Sequence, residues 1–237
     1  MKRLNAITDP KGFGTSIQAG PHDVDSWVFV AYDQLNLSLI ETIEQAIGTV
    51  GLVFIESAFK GRSRPYHKQK LALLLSNQRH FALEAQEAGY AVDYLVTQGT
   101  YAEALTVLAN EVGPIHCVEF AEYSTRIELQ PLIESAALVV HPHNGWLTPR
   151  SWFTETVGTA PPFRMDRFYR RVRKETGWLM VDAQPVGDKY SFDEENRKPW
   201  RGDPAAPAPP MFTVDDIDVG VKKLVEKPAT VATGPQL

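Results

Sequence analysis

The sequence WVFVAYDQ over residues 27–34 is a short, almost unbroken apolar run that ends on Asp33-Gln34. Runs that are apolar at nearly every position are typical of strands that helices cover on both faces. Further runs of this kind follow at residues 51–55, 91–96, 115–120 and 137–141. The sequence therefore predicts five short, buried strands.

Between these runs, apolar residues recur at helical spacing. The longest such segment spans residues 68–88, and Gly89 directly after it indicates the end of a helix. Alternating strands and helices imply a parallel sheet with right-handed crossovers. We predict an α/β fold, a Rossmann-like doubly wound five-stranded parallel sheet with its switch point between the first and fourth strands. The other predicted helices are residues 37–47, 102–112 and 125–136.

The composition changes along the chain and predicts three parts. Residues 1–25 are polar and lack a period, so we expect a disordered leader. Residues 26–160 form the predicted sheet domain. Residues 161–237 form an extension towards a further domain, made of a basic helix, a proline-rich linker and a terminal helix, at residues 164–175, 198–213 and 214–226.

Composition and charge argue against several kinds of binding site and protein class. The net charge of −5 argues against a surface that binds nucleic acid all over. Cys117 is the one cysteine, which excludes an intrachain disulfide and a cluster held by four cysteines of this chain. Its apolar surroundings predict a buried thiol. A signal-peptide pattern and an apolar run of membrane-spanning length are both lacking, so we expect a cytoplasmic protein without membrane contact.

The carboxyl ends of the predicted strands are the expected place for a ligand. In a doubly wound sheet, ligands bind beyond these ends near the switch point. This rule points to Tyr32-Asp33-Gln34, to Glu56-Ser57 and to residues 119–123. Their polar side chains either anchor a polar, aromatic ligand or cap helices and face solvent.

Several common catalytic and nucleotide-binding motifs are missing from the sequence. The first predicted strand is not followed by Gly-x-Gly-x-x-Gly, and neither a P-loop nor a Gly-x-Ser-x-Gly elbow occurs. NAD, FAD bound in the Rossmann manner and nucleotide hydrolysis are therefore disfavoured. The histidines lack the spacing of metal ligands, so we predict neither a metal site nor catalytic residues.

Two basic segments have alternative interpretations. Tyr66-His67-Lys68-Gln69-Lys70 opens the long helix, where cations oppose the helix dipole unless an anion or polar ligand lies there too. A solvated basic turn is the alternative. Residues 164–174 carry six cations and one carboxylate. They either contact DNA or flank a docking face made of Phe168, Tyr169 and Val172, and the net charge of the chain favours docking.

An ordered series of motifs resembles the photolyase-related proteins of the bacterial iron–sulfur cryptochrome and 6-4 photolyase family. The resemblance covers roughly residues 27–225, and the block at residues 164–197 is its most specific part. The other motifs are Tyr32-Asp33-Gln34-Leu35, Glu56, His67-Lys68-Gln69-Lys70, Gln78-Arg79-His80-Phe81-Ala82, Gly89-Tyr90, Glu119 and Glu122-Tyr123.

The resemblance implies an N-terminal antenna domain that holds a light-harvesting chromophore, typically 6,7-dimethyl-8-ribityllumazine. It also implies a helical domain with FAD and a four-cysteine iron–sulfur cluster, which repairs DNA or senses blue light. Carried over by position, the antenna pocket falls at Asp33, Gln34, Glu56 and Leu74. Our full set of candidate binding residues adds neighbours from the strand ends and the helix start: Tyr32, His67, Lys70 and Glu119.

This sequence departs from the family at several points. Tyr32 stands where the family has a glycine, which permits close approach of a ligand, so the phenol ring would fill part of the pocket. Lys60 and Ser63 stand where the family tends to carry glutamate and tyrosine. The sequence stops at Leu237, and we expect FAD and the cluster to be absent from this chain.

We therefore expect a truncated antenna-type module that binds a chromophore or a helical flavin-domain partner and does not repair DNA alone. Two alternatives remain. The chain could be an independent enzyme on a Rossmann-like scaffold, or a pure interaction module.

Overall fold

The structure is a computed structural model that describes residue 13, residues 24–196 and residues 199–226. The predicted leader lies outside the described residues, apart from residues 13, 24 and 25. The chain forms two compact units, one of Met1–Gly145 with Thr213–Leu237 and one of Trp146–Phe212. The units thus divide the chain after residues 145 and 212, whereas the sequence analysis places a boundary after residue 160.

The first unit contains the predicted five-stranded parallel sheet. The strands are β1 (Ser26–Phe29), β2 (Val50–Ser57), β3 (Ala91–Thr97), β4 (Ile115–Val118) and β5 (Leu138–His141). Their order in the sheet is β3-β2-β1-β4-β5, which confirms the doubly wound topology and the switch point between β1 and β4. Every neighbouring pair in this sheet is parallel.

Helices cover both faces of the sheet. The helices of this unit are α1 (Leu37–Ile47), α2 (Ala58–Arg62), α3 (Lys68–Glu87), α4 (Tyr101–Val112), α5 (Tyr123–Glu134) and α9 (Asp216–Glu226). Successive residues of β1 point to opposite faces, with Phe29 in the core under α4 and α5 and Val28 in the core under α1 and α3. Both side chains are fully buried, which explains why the strands are apolar without alternation.

Polar side chains cap several of these helices. The Asn36 side chain accepts a hydrogen bond from the backbone of Ser38 before α1, and Thr100 and Glu103 form a capping box at α4. Ser57 caps α2 in the same way. The five residues of α2 are too few for a periodic apolar pattern, so the sequence analysis missed this helix.

The last helix of the first unit, α9, packs on α3. Val221 and Val225 are buried against Leu71 of α3. Burying a valine side chain fully contributes about 1.5–3 kcal/mol. Residues 199–215, which precede this helix, form no helix or strand.

A polar tie joins the start of α9 to α3. Nδ1 of His80 lies 2.8 Å from the carbonyl oxygen of Ser76, and Nε2 lies 2.8 Å from a carboxylate oxygen of Asp215. Both ring nitrogens donate only when the imidazole is protonated. Burial opposes this charge, but the hydrogen bonds to Asp215 and Ser76 raise the pKa of His80 above its usual value. The hydroxyl of Ser76 also donates to Asp218.

The elements of the second unit are α6 (Arg150–Val157), α7 (Met165–Thr176), a hairpin of β6 (Met180–Val181) and β7 (Gln184–Pro185), and α8 (Asp193–Asn196). The Phe153 ring of α6 lies 5.3 Å from the Phe168 ring of α7, measured between centroids. Arg173 is buried and donates to the carbonyl oxygens of Leu179 and Tyr190.

None of the helices in the described part of the chain is long and apolar enough to cross a membrane.

The tie between α3 and α9 predicts a pH-dependent stability. The folded-state pKa of His80 is raised above 6.5. The tie therefore contributes fully to the free energy of unfolding below pH 6.5, and this contribution is lost as the pH rises through the raised pKa. Asp215→Asn, which keeps a capping residue, should therefore lower the free energy of unfolding more at pH 6 than at pH 9. Urea unfolding at the two pH values measures this difference. Asp216→Asn, in the exposed first turn of the same helix, is the control, and an equal loss for Asp215→Asn at both pH values would contradict the prediction.

Candidate functional site

A cavity of about 160 Å³ lies at the carboxyl ends of β2 and β3 in the first unit. It is open to solvent on one side. α2 and the first half of α3 form two of its walls, and Leu224 of α9 contributes to another. Its apolar lining consists of Ile55, Ala58, Leu71, Leu74, Leu75, Val96, Leu224 and the ring of Tyr101.

Glu56 lines this cavity and is held by two neighbours. Its Oε1 accepts hydrogen bonds from Nε of Arg79 at 2.6 Å and from the hydroxyl of Tyr94 at 2.5 Å. Its Oε2 accepts a second bond from Arg79 at 2.9 Å. The Glu56 carboxylate is only 5% exposed, so these bonds offset the cost of burying its charge. A carboxylate has about four acceptor positions, which leaves one for a ligand.

Tyr32 closes the side of the cavity nearest the switch point. Its hydroxyl donates to Glu122 at 3.2 Å, and Nζ of Lys60 lies 2.6 Å from the same carboxylate. Burial opposes ionisation of Glu122, but hydrogen bonds from Lys60, Thr125 and Ser124 lower its pKa to about 2. Burial and then the Glu122 charge raise the pKa of Tyr32 well above its usual value. Tyr32 is therefore a neutral donor beside an ionised carboxylate.

Gln34 joins the two strands at the switch point. Its side-chain amide donates to the backbone carbonyl oxygens of Glu119 at 2.9 Å and Val118 at 3.4 Å. The side chain is buried, and Oε1 accepts no hydrogen bond from the described residues. Asp33, by contrast, is exposed. The Gln34 side chain therefore links the carboxyl ends of β1 and β4 by hydrogen bonds.

The candidate residues at the start of α3 separate into two groups. Nδ1 of His67 accepts the backbone N–H of Gln69 at 3.2 Å, so this side chain caps the helix. Lys70, one turn further along, and Leu74, about two turns along, both line the cavity. Nζ of Lys70 lies 5.0 Å from the ring centroid of Tyr66, which also lines the cavity.

The structure therefore brings four candidate residues together at one cavity, namely Tyr32, Glu56, Lys70 and Leu74. The other four lie outside its lining: Asp33, Gln34, His67 and Glu119. The sequence did not indicate Arg62 and Leu224, which line the cavity. Glu122, which orders the cavity edge, lies in the predicted strand-end segment 119–123 but was not among the eight candidate residues. The position of Glu122 just beyond the fourth strand was a usable signal, whereas nothing in the sequence places Leu224 beside α3.

One group of potential metal ligands occurs within the described ranges. His80, Asp215 and Asp218 each bring one donor atom within 4.8 Å of the others. The bonds that tie α9 to α3 already use these side chains, and the backbone N–H of Asp218 also donates to Asp215 at 3.0 Å. The group is therefore explained as a structural tie, and we assign no metal to it.

The basic run of the second unit is largely engaged inside that unit. The guanidinium of Arg171 pairs with Glu155 at 2.9 Å and lies over the Trp152 ring. Arg173 is buried, as described above, and Arg170 lies 4.9 Å from the ring centroid of Tyr190. These contacts reduce the number of cations available to a nucleic acid.

Comparison with known proteins gives the family. Residues 28–235 match the family described as deoxyribodipyrimidine photo-lyase-related protein. The chain belongs to this family. A photolyase-related relative in Agrobacterium fabrum strain C58, named (6-4) photolyase, is 30% identical over 213 residues. That match covers 84% of this chain and 41% of the relative, so this photolyase-related chain spans less than half the relative's length.

The buried pair of Glu56 and Arg79 predicts a large asymmetry between two arginine substitutions. Arg79→Ala leaves a carboxylate buried without its cation, which costs about 3–5 kcal/mol. Arg164→Ala removes the exposed ion pair with Asp166, which contributes about 0–1 kcal/mol. Denaturant unfolding of both variants tests this. Adding Glu56→Leu to Arg79→Ala should restore part of the loss, and similar losses for the two single variants would contradict the role given to Glu56.

Proposed function

We propose that this chain is the chromophore-binding module of a photolyase-related protein, and that its cavity receives the ring system of 6,7-dimethyl-8-ribityllumazine. One observation carries the proposal. Tyr32, Glu56 and Leu74 line a single cavity at the carboxyl ends of a doubly wound sheet, where ligands of such sheets bind. Two of these residues, Glu56 and Leu74, are positions that the resemblance assigns to an antenna pocket.

The lining fits part of this chromophore. An apolar cavity of roughly 150 Å³ holds a benzene-sized ring, and the cavity here measures about 160 Å³. Pockets for drug-sized ligands are larger, about 300–1,000 Å³. One ring of the lumazine therefore fits between the walls, and the ribityl chain would lie towards the open side. The second ring of the lumazine can enter the cavity only if the Tyr32 side chain moves.

Polar groups at the cavity supply an orientation for the ring. The free acceptor position of Glu56 suits a ring N–H, and Gln78 and Gln98 line the same wall. Among the described residues, the amide of Gln78 makes one long contact of 3.4 Å, to the hydroxyl of Tyr94. A few polar groups among apolar walls are the usual composition of a small-molecule site.

We further propose that the second unit docks a helical flavin-domain partner, to which the bound chromophore would pass its excitation energy. Phe168 already packs on Phe153 and Val172 is half-buried, so the proposed face consists of Tyr169 with other exposed apolar residues of this unit. Exposed apolar side chains on one unit are typical of interaction sites. Those residues are Met165, Trp178, Leu179 and Val181, which are 58–65% exposed. Since several arginines of the basic run are engaged internally, we favour this docking over DNA contact.

Two adjacent leucines of α3 provide a matched test of chromophore binding. Leu74 lines the cavity, whereas Leu73 is 60% exposed. Leu74→Glu buries a carboxylate without a partner in the apolar wall, so we expect it to weaken lumazine binding about tenfold or more. Leu73→Glu should leave binding unchanged. Fluorescence titration of the lumazine measures both, and the proposal fails if the unmodified protein does not bind the chromophore.

Two exposed tryptophans of the second unit test the docking. Trp178 is 65% exposed within the proposed face, and Trp200 is 64% exposed in the proline-rich segment. We expect a helical flavoprotein to co-purify with the unmodified chain and to be lost with Trp178→Asp, because the substitution puts a charge into an apolar contact. Flavin absorbance of the purified complex measures this. Retention with Trp178→Asp, or equal loss with Trp200→Asp, would contradict the proposed face.

A further inference from the structure

We infer that the ligand of this cavity carries a phosphate group, which Arg62 and Lys70 bind while the aromatic ring lies between the apolar walls. The inference rests on the proposed function and narrows its ligand class from an aromatic chromophore to an anionic one. The inference is based on the positive charges of the cavity wall that no described carboxylate neutralises.

The ionised side chains that line the cavity do not balance one another. Glu56 is neutralised by Arg79, and Lys60 is neutralised by Glu122 at 2.6 Å. Arg62 and Lys70 line the same cavity, and neither has an ion pair among the described residues. The wall therefore carries two positive charges in excess, next to an apolar interior that strengthens their interaction with an anion.

Arg62 has a donor that the fold leaves unused. Its Nε is buried and has no hydrogen-bond acceptor among the described residues. A buried N–H without an acceptor destabilises the fold, so its retention at a cavity wall points to an acceptor supplied by a ligand. A guanidinium presents its donors in a planar fork that suits phosphate oxygens.

Helix stabilisation alone does not account for Arg62. The residue lies in the last turn of α2, where a cation interacts favourably with the helix dipole. This helix has only five residues, however, so the dipole is small. The interaction also gives Nε no acceptor.

Lys70 lies at the end of a helix where a cation is unfavourable. It belongs to the first turn of α3, a helix of 20 residues with its positive end at Lys68. An anion bound nearby would interact favourably with both the dipole and the ammonium group. Lys70 also contacts Tyr66 of the cavity wall, so its charge lies beside the space that a ligand would occupy.

A matched pair of ligands tests the inference. The probes are 6,7-dimethyl-8-ribityllumazine and its 5′-monophosphate, which share one ring system. At low salt we expect the phosphate ester to bind about tenfold more tightly, because charge-assisted hydrogen bonds are stronger than neutral ones. The advantage should shrink as salt screens the charges.

A matched pair of arginines assigns the effect to the cavity. Arg62→Gln should abolish the advantage of the phosphate ester over the uncharged lumazine, measured as the ratio of the two affinities. Arg64→Gln removes the same charge from an exposed position outside the cavity lining and should retain the advantage. Lys70→Gln, which removes an exposed cation, should reduce the advantage and serves as the second variant if Arg62→Gln unfolds.

The outcomes separate this inference from the proposed function. Equal affinity for the two probes overturns the inference and leaves the proposed function standing. Binding of neither probe overturns both. An equal loss with Arg62→Gln and Arg64→Gln shows general attraction by surface charge and overturns the assignment to the cavity.

Discussion

Glu56 lies at the end of β2 with its carboxylate buried, and that charge is stable there only because Arg79 of α3 and Tyr94 of β3 donate to it. Three elements must therefore meet at one point. Their meeting holds α3 against β2 and β3, and α3 in turn provides the wall that Leu71, Leu74 and Leu75 form. The ring of Phe13 lies 4.9 Å from the Tyr94 ring and 5.2 Å from the Arg79 guanidinium, which shields the pair further. The held carboxylate thus joins the sheet end and the helix that both line the cavity.

The doubly wound fold and the family membership explain the position of the site, but the side chains decide what it binds. Tyr32 narrows the space next to the switch point, and its hydroxyl is anchored to Glu122 rather than left free for a ligand. The ammonium group of Lys60 likewise forms an ion pair with the Glu122 carboxylate. Variation at such edge positions would change the ligand without changing the sheet, since fold and chemistry are specified by different residues.

The strands and long helices were predictable from the sequence because each is apolar at a regular spacing. The doubly wound order followed from the alternation of the two. The site was predictable only in part. The strand-end rule located Tyr32 and Glu56, but it did not show that Arg79 and Tyr94 would engage Glu56, because both come from elements distant in sequence. Short elements were missed as well, since α2 and the β6–β7 hairpin span too few residues to show a period. Leu224 could not be placed, because its contact with α3 spans about two-thirds of the chain.

The first unit is assembled from two separated stretches of chain, and this has a consequence for biosynthesis. Ser76 and Asp218 are hydrogen-bonded although 142 residues separate them. Loop-closure entropy opposes such contacts, and they form late. The amino-terminal strands and helices emerge from the ribosome first, and domains fold as they emerge. The apolar side of α3 around Leu71 is then exposed to solvent until α9 has been synthesised. During that interval it is the surface that a chaperone would bind.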